Sequence, residues 1–84
     1  MNSKQRRTLE AVFARPTSAT ILWADIESLL RALSAKVSQG RGSRVRVELN
    51  GVRAIFHEPH PEKETAKGAV EAVRAFLEAA GVTP

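Results

Sequence analysis

Apolar residues along the chain follow two different periods. From Trp23 to Leu33, the residues Ile26, Leu29, Leu30 and Leu33 recur at i, i+3, i+4 and i+7, which gathers them into one stripe of a helix and leaves Glu27 and Arg31 outside it. Asp25 and Glu27 fall in its first turn, where the helix dipole favours negative charge. An earlier segment, about Lys4 to Ala14, sets Leu9, Val12 and Phe13 on one helical face and should stop before Arg15-Pro16, because a proline disfavours a helical residue ahead of it. After Pro59-His60-Pro61 and a charged loop, Val70, Val73, Phe76, Leu77 and Ala80 predict a last amphipathic helix. Thr65 is its expected N-cap and Gly81 its expected left-handed C-cap.

Between Arg44 and Leu49 the period shortens to strict alternation, with Val45, Val47 and Leu49 pointing one way and Arg44, Arg46 and Glu48 the other. Asn50-Gly51 follows, a dipeptide suited to a two-residue turn because a type I′ turn requires positive φ at both positions. A second strand then runs from Val52 to His57. With such a turn Leu49 faces Val52, and the rest of the register follows: Glu48 with Arg53, Val47 with Ala54, Arg46 with Ile55, Val45 with Phe56, Arg44 with His57. One face carries the apolar set; the other presents Arg44, Arg46, Glu48, Arg53, Ile55 and His57. A shorter strand near Lys36 to Gln39 is expected to join the pair through Gly40-Arg41-Gly42-Ser43. The resulting order predicts an α+β fold: a three-stranded antiparallel sheet with helices on one face. Residues 1–84 are expected to form a single domain, with an added N-terminal helix over 1–15 and an αβββα core over 22–82.

Composition supports a folded chain. It has 43% hydrophobic and 26% charged residues, and no cysteine, which excludes a disulfide framework and thiolate metal sites and fits a cytoplasmic protein. No apolar run follows Met1 to Arg7, so neither secretion nor membrane spanning is expected. The net charge is +4, and residues 36 to 53 account for it: Lys36, Arg41, Arg44, Arg46 and Arg53 stand against Glu48 alone. Such a patch suits an anionic partner such as nucleic acid, because guanidinium groups grip phosphate through paired hydrogen bonds. Arg41, Arg44, Arg46 and Arg53 are the candidate RNA-binding residues. A solvated face, or a landing place for an acidic protein segment, would need the same charges. Lys4, Arg6 and Arg7 read as a solvated end, while Trp23 and Phe56 read as core. Without aromatics among the arginines, single-strand stacking of the RRM type, on aromatic rings, is not expected.

The order αβββα is that of a double-stranded-RNA-binding domain, and the chain resembles the HicA family of toxins. The landmarks are Trp23-Ala24-Asp25-Ile26-Glu27-Ser28-Leu29-Leu30, then Gly42-Ser43 opening the second strand, His60 with Lys63-Glu64, and Leu77-Glu78-Ala79-Ala80-Gly81-Val82 closing the last helix. They extend over about Leu22 to Val82. The resemblance implies a type II toxin that cleaves messenger RNA and is neutralised by a HicB-like antitoxin. It also implies a catalytic histidine after the Gly-Ser pair; that position here is Arg44.

Metal-free RNA cleavage needs a group to take the 2′-OH proton, a group to protonate the leaving oxygen, and cations for the charge developing on phosphorus. Arg44 can supply only the cation, because a guanidinium keeps its proton. His57 is directly across the hairpin and becomes the candidate proton-transfer group. His60, held between two prolines and matching a family histidine, is a further candidate. The two histidines lack a third ligand at suitable spacing, so neither a metal nor a cofactor is expected. Three readings stand at this point: an active RNA-cleaving toxin with an altered site, an RNA-binding module without catalysis, and a protein-interaction domain of the same fold.

Overall fold

The computed structural model describes residues 1–84 and contains α1 (Ser3–Phe13), α2 (Trp23–Ala32), β1 (Lys36–Gln39), β2 (Arg44–Leu49), β3 (Val52–His57) and α3 (Lys67–Ala79). The strands form one antiparallel sheet in the order β1-β2-β3. The fold is α+β, as the two periods in the sequence predict. Val45, Val47, Leu49 and Phe56 project from one sheet face into a core shared with Leu9 and Val12 of α1, Ile26, Leu29 and Leu30 of α2, and Val70, Val73, Phe76 and Leu77 of α3. Trp23 is also buried there, its indole N–H donating to Glu27 Oε1 at 2.9 Å. Phe56 stands between two aromatics, its ring centre 6.1 Å from Trp23 and 5.7 Å from Phe76. Val52 and Ala54, on the outer strand of the hairpin, are only half-buried.

The hairpin register is the one that the alternation and the Asn-Gly turn predict, from Leu49 opposite Val52 to Arg44 opposite His57. Asn50 and Gly51 have φ of 51° and 81°, the left-handed pair that a type I′ turn requires. The turn is also anchored, since Asn50 Nδ2 donates to the Ala80 carbonyl at 2.8 Å.

Each helix end is closed differently. Asn2 and Gln5 form a reciprocal capping box at the start of α1. Gly81, at φ 81°, closes α3: its N–H reaches Glu78 O and the next N–H, from Val82, reaches Leu77 O at 2.8 Å. The end of α2 has the same wiring, with Ser34 N–H on Arg31 O and Ala35 N–H on Leu30 O, but there the left-handed residue is Ser34 at φ 70°. Because a residue with a Cβ is strained in that region, Ser34→Gly should raise the unfolding free energy by roughly 0.5–1 kcal/mol. Chemical denaturation checks this; an unchanged or lower midpoint would mean the serine is unstrained.

Thr65 is not the N-cap of α3. Ala66 occupies that position, without a side-chain cap. Thr65 lies one residue earlier, where its N–H is bonded to Ile21 O at 2.8 Å and the neighbouring Glu64 bridges Leu22. This pairing to the linker turns the Thr65 side chain into the core, where it is 1% exposed and its hydroxyl has no hydrogen-bond partner.

A buried arginine holds the N-terminal helix in place. Arg74 of α3 donates through Nε to Val12 O at 2.9 Å and through Nη2 to Ala14 O at 3.3 Å and Thr17 Oγ1 at 3.0 Å. Thr17 in turn donates to Glu71 Oε2 at 3.1 Å. The last turn of α1 has no basic residue of its own, so α3 supplies both donors and positive charge to its open carbonyl end. No helix is long and apolar enough to cross a membrane.

Candidate functional site

The sheet face away from the helices is built in rows by the pairing of the strands. Lys36, Glu48 and Arg53 form one row across β1, β2 and β3, and Ser38, Arg46 and Ile55 the next. In the last row Arg44 faces His57 on one side, while on the other its carbonyl accepts the Gly40 N–H at 2.8 Å. Successive rows are about 6.8 Å apart, the repeat of alternate residues along a strand. The Glu58 N–H donates to Ser43 O at 2.8 Å. Bonded and non-bonded pairs alternate in an antiparallel ladder, so Arg44–His57 and Arg46–Ile55 are non-hydrogen-bonded pairs, the closer kind.

The charges are distributed unevenly over this face. Arg53 Nε lies 3.3 Å from Glu48 Oε1, and with the arginine 80% exposed that pair contributes little to stability. The other ion pairs, Lys4–Asp25 and Arg31–Glu27, lie elsewhere. Arg41, Arg44 and Arg46 have no carboxylate within ion-pairing reach. Three unpaired arginines therefore collect at the Arg44 end and the adjoining β1–β2 loop, while at the other end Glu48 pairs with Arg53 and leaves Lys36 as the unpaired cation. Arg53, the fourth arginine singled out from the sequence, is on the same face but is paired with Glu48.

Gly40 is part of this arrangement for a reason the sequence pattern does not show. A Cβ at this position would meet Arg44 Cβ at 3.1 Å and Arg46 Nε at 3.7 Å. The bare glycine lets Arg44 approach closely, the contact to Arg46 being an ordinary one, whereas the sequence suggests only a flexible joint. Gly42, at φ 61°, provides the left-handed turn of that loop.

The two histidines are exposed and differ in setting. His57 is in the row of Arg44. His60 lies in the β3–α3 loop and lines an open concavity of about 650 Å³ with Gln39, Gly40, Gly42, Ser43, Glu58 and Pro59. The Glu58-Pro59-His60 ridge separates this hollow from a smaller one of about 360 Å³ over Leu22, Trp23 and Glu27. Glu58, which the sequence reading passes over, becomes a neighbour of Ser43 through a ladder bond that extends beyond β3. No three His, Cys, Asp or Glu side chains gather into a group that could hold a metal ion.

Comparison with curated proteins and with solved structures gives no match. Residues 23–82 match the family described as HicA toxin of bacterial toxin-antitoxin, a match that takes in α2, the sheet and α3 and begins after α1. Covering most of the length, it shows that the chain belongs to the HicA toxin family.

Proposed function

We infer that this chain is the toxin of a type II toxin–antitoxin pair, that it binds messenger RNA on the outer face of its sheet, and that a HicB-like antitoxin silences it in the cytoplasm. The observation that carries the RNA reading is the set Arg44 and Arg46 on an open sheet face, with Arg41 in the adjoining loop, all exposed and unpaired, in a family member. Guanidinium groups about one strand repeat apart suit successive phosphates of an RNA backbone. In this reading residues 1–84 act as one domain, with α1 an addition to the αβββα core.

Cleavage is assigned to the Arg44 row. The 2′-oxygen attacks phosphorus, the bond to the 5′-oxygen breaks, and a 2′,3′-cyclic phosphate and a 5′-hydroxyl are the products. Arg44 holds the phosphate and meets the charge developing on it. His57, its cross-strand neighbour, exchanges the proton, and His60 is the second group able to do so. No metal or cofactor enters the proposal.

Replacing Arg44 and Arg46 together with alanine tests RNA binding. Affinity for RNA should fall, and the slope of log affinity against log salt should become shallower by about 1.4, two single-strand phosphate contacts at ~0.7 each. Melting should barely change, because both side chains are exposed. Affinity unchanged over the whole salt series would remove RNA from this face. Growth arrest on expression, relieved by the antitoxin gene, tests the toxin half of the reading.

A further inference from the structure

We propose that Ile55 is a nucleobase-contacting, specificity-determining residue, and that the outer sheet face therefore takes an unpaired nucleotide of RNA rather than a duplex. This rests on the reading of that face as an RNA site and specifies which RNA it takes.

Ile55 is 56% exposed, while the other large apolar side chains of the sheet point into the core or are half-covered. It occupies the middle row of the outer face, with Arg46 as its close cross-strand partner and Ser38 beyond. The three line a shallow concavity of about 670 Å³ that continues to Lys36, Glu48 and Arg53. A β-branched side chain left in water at the centre of a cationic face has no core to serve. It matches a ligand that is anionic along its backbone and apolar on its flat face.

A nucleotide has both properties. With a phosphate on Arg44 or Arg46, the attached base reaches the neighbouring strand about 5 Å away, where its face can cover Ile55. The planar Arg46 guanidinium can lie against the same base. The hydroxyl of Ser38 can meet a base edge. A duplex cannot use Ile55 in this way: its base faces are stacked on each other, and it offers the sheet only phosphates, 2′-hydroxyls and base edges.

The test measures binding of a short unstructured oligoribonucleotide and of the corresponding duplex, across a salt series, to the wild type, Ile55→Thr and Ile55→Phe. Thr keeps the branched shape suited to a strand, and all three proteins are checked by melting. Ile55→Thr should weaken single-strand binding about fivefold with an unchanged salt slope, since no phosphate contact is lost. Duplex binding should not change. Ile55→Phe should tighten single-strand binding, because an aromatic ring stacks a base better than an aliphatic chain does. If Ile55→Thr binds both RNAs as the wild type does, the inference is wrong while the RNA reading survives. A Thr variant that loses capture of the antitoxin but keeps RNA affinity would place Ile55 in a protein interface and overturn it equally. A wild type that binds neither RNA at low salt overturns both.

Discussion

Arg74→Leu should lower the unfolding free energy by about 3 kcal/mol, which for a chain of this length corresponds to a fall of roughly 15 °C in melting temperature. The reason is geometric. Leucine fills the buried stem position but leaves Val12 O buried without the donor Arg74 supplies, and a desolvated carbonyl without a partner costs about 1–3 kcal/mol; the bonds to Ala14 O and Thr17 Oγ1, nearer solvent, are lost as well. Arg74→Lys should recover only part of the loss, because an ammonium is a point charge and cannot reproduce the guanidinium fork. The outer sheet face, where RNA binding is proposed, lies away from the helices, so RNA affinity measured well below the melting temperature should remain near wild type. Circular dichroism melting and low-temperature binding decide the matter together. A loss under 1 kcal/mol would mean that α1 holds its place without Arg74, by apolar packing and its polar contacts to α2, Lys4–Asp25 and Gln5–Ser28.

Arg74 also shows why part of the fold was not legible in the sequence. In α3 it stands between Val73 and Phe76 on the margin of the apolar stripe, where an arginine ordinarily reaches for solvent. What draws it inward is the open end of α1, some sixty residues away along the chain, and no local period records such a meeting. Ser34 is similar: the left-handed residue that closes α2 is neither Gly nor Asn, the usual signals. The N-cap expected at Thr65 failed because backbone pairing to the Ile21-Leu22 linker outweighed a local preference. By contrast, the hairpin could be read to the residue. Its register depends on two local facts, the alternation from Arg44 to Leu49 and the positive-φ demand at Asn50-Gly51, and a slip by one would turn every valine to water. The candidate site follows from that register: once Arg44 faces His57, the outer face is determined. The close approach of Arg44 to Gly40 was hidden, since it arises from a side chain on the adjacent strand.

His57→Ala is expected to have the largest effect on function. If the Arg44 row carries out cleavage, removing its proton-transfer group should slow RNA cleavage by about 10² to 10⁴-fold and abolish growth arrest. The domain should fold as before, because His57 is exposed at the end of β3 and the core residue beside it, Phe56, is untouched. RNA affinity should stay within a fewfold, since Arg41, Arg44 and Arg46 remain. The complementary variant is Arg44→His, which restores the residue that the family resemblance places after Gly42-Ser43. It puts an imidazole capable of giving and taking a proton near neutral pH where a guanidinium can only bind, and directly across from His57. Cleavage should rise above wild type even as phosphate binding weakens. Purified proteins incubated with a labelled transcript, followed by gels and by growth curves, distinguish the outcomes. A fully active His57→Ala would eliminate this residue and transfer the proton-transfer role to His60, in its separate hollow beside Ser43 and Glu58. A silent wild type with an active Arg44→His would show that the scaffold still holds RNA correctly and that the exchange of one residue disarmed it.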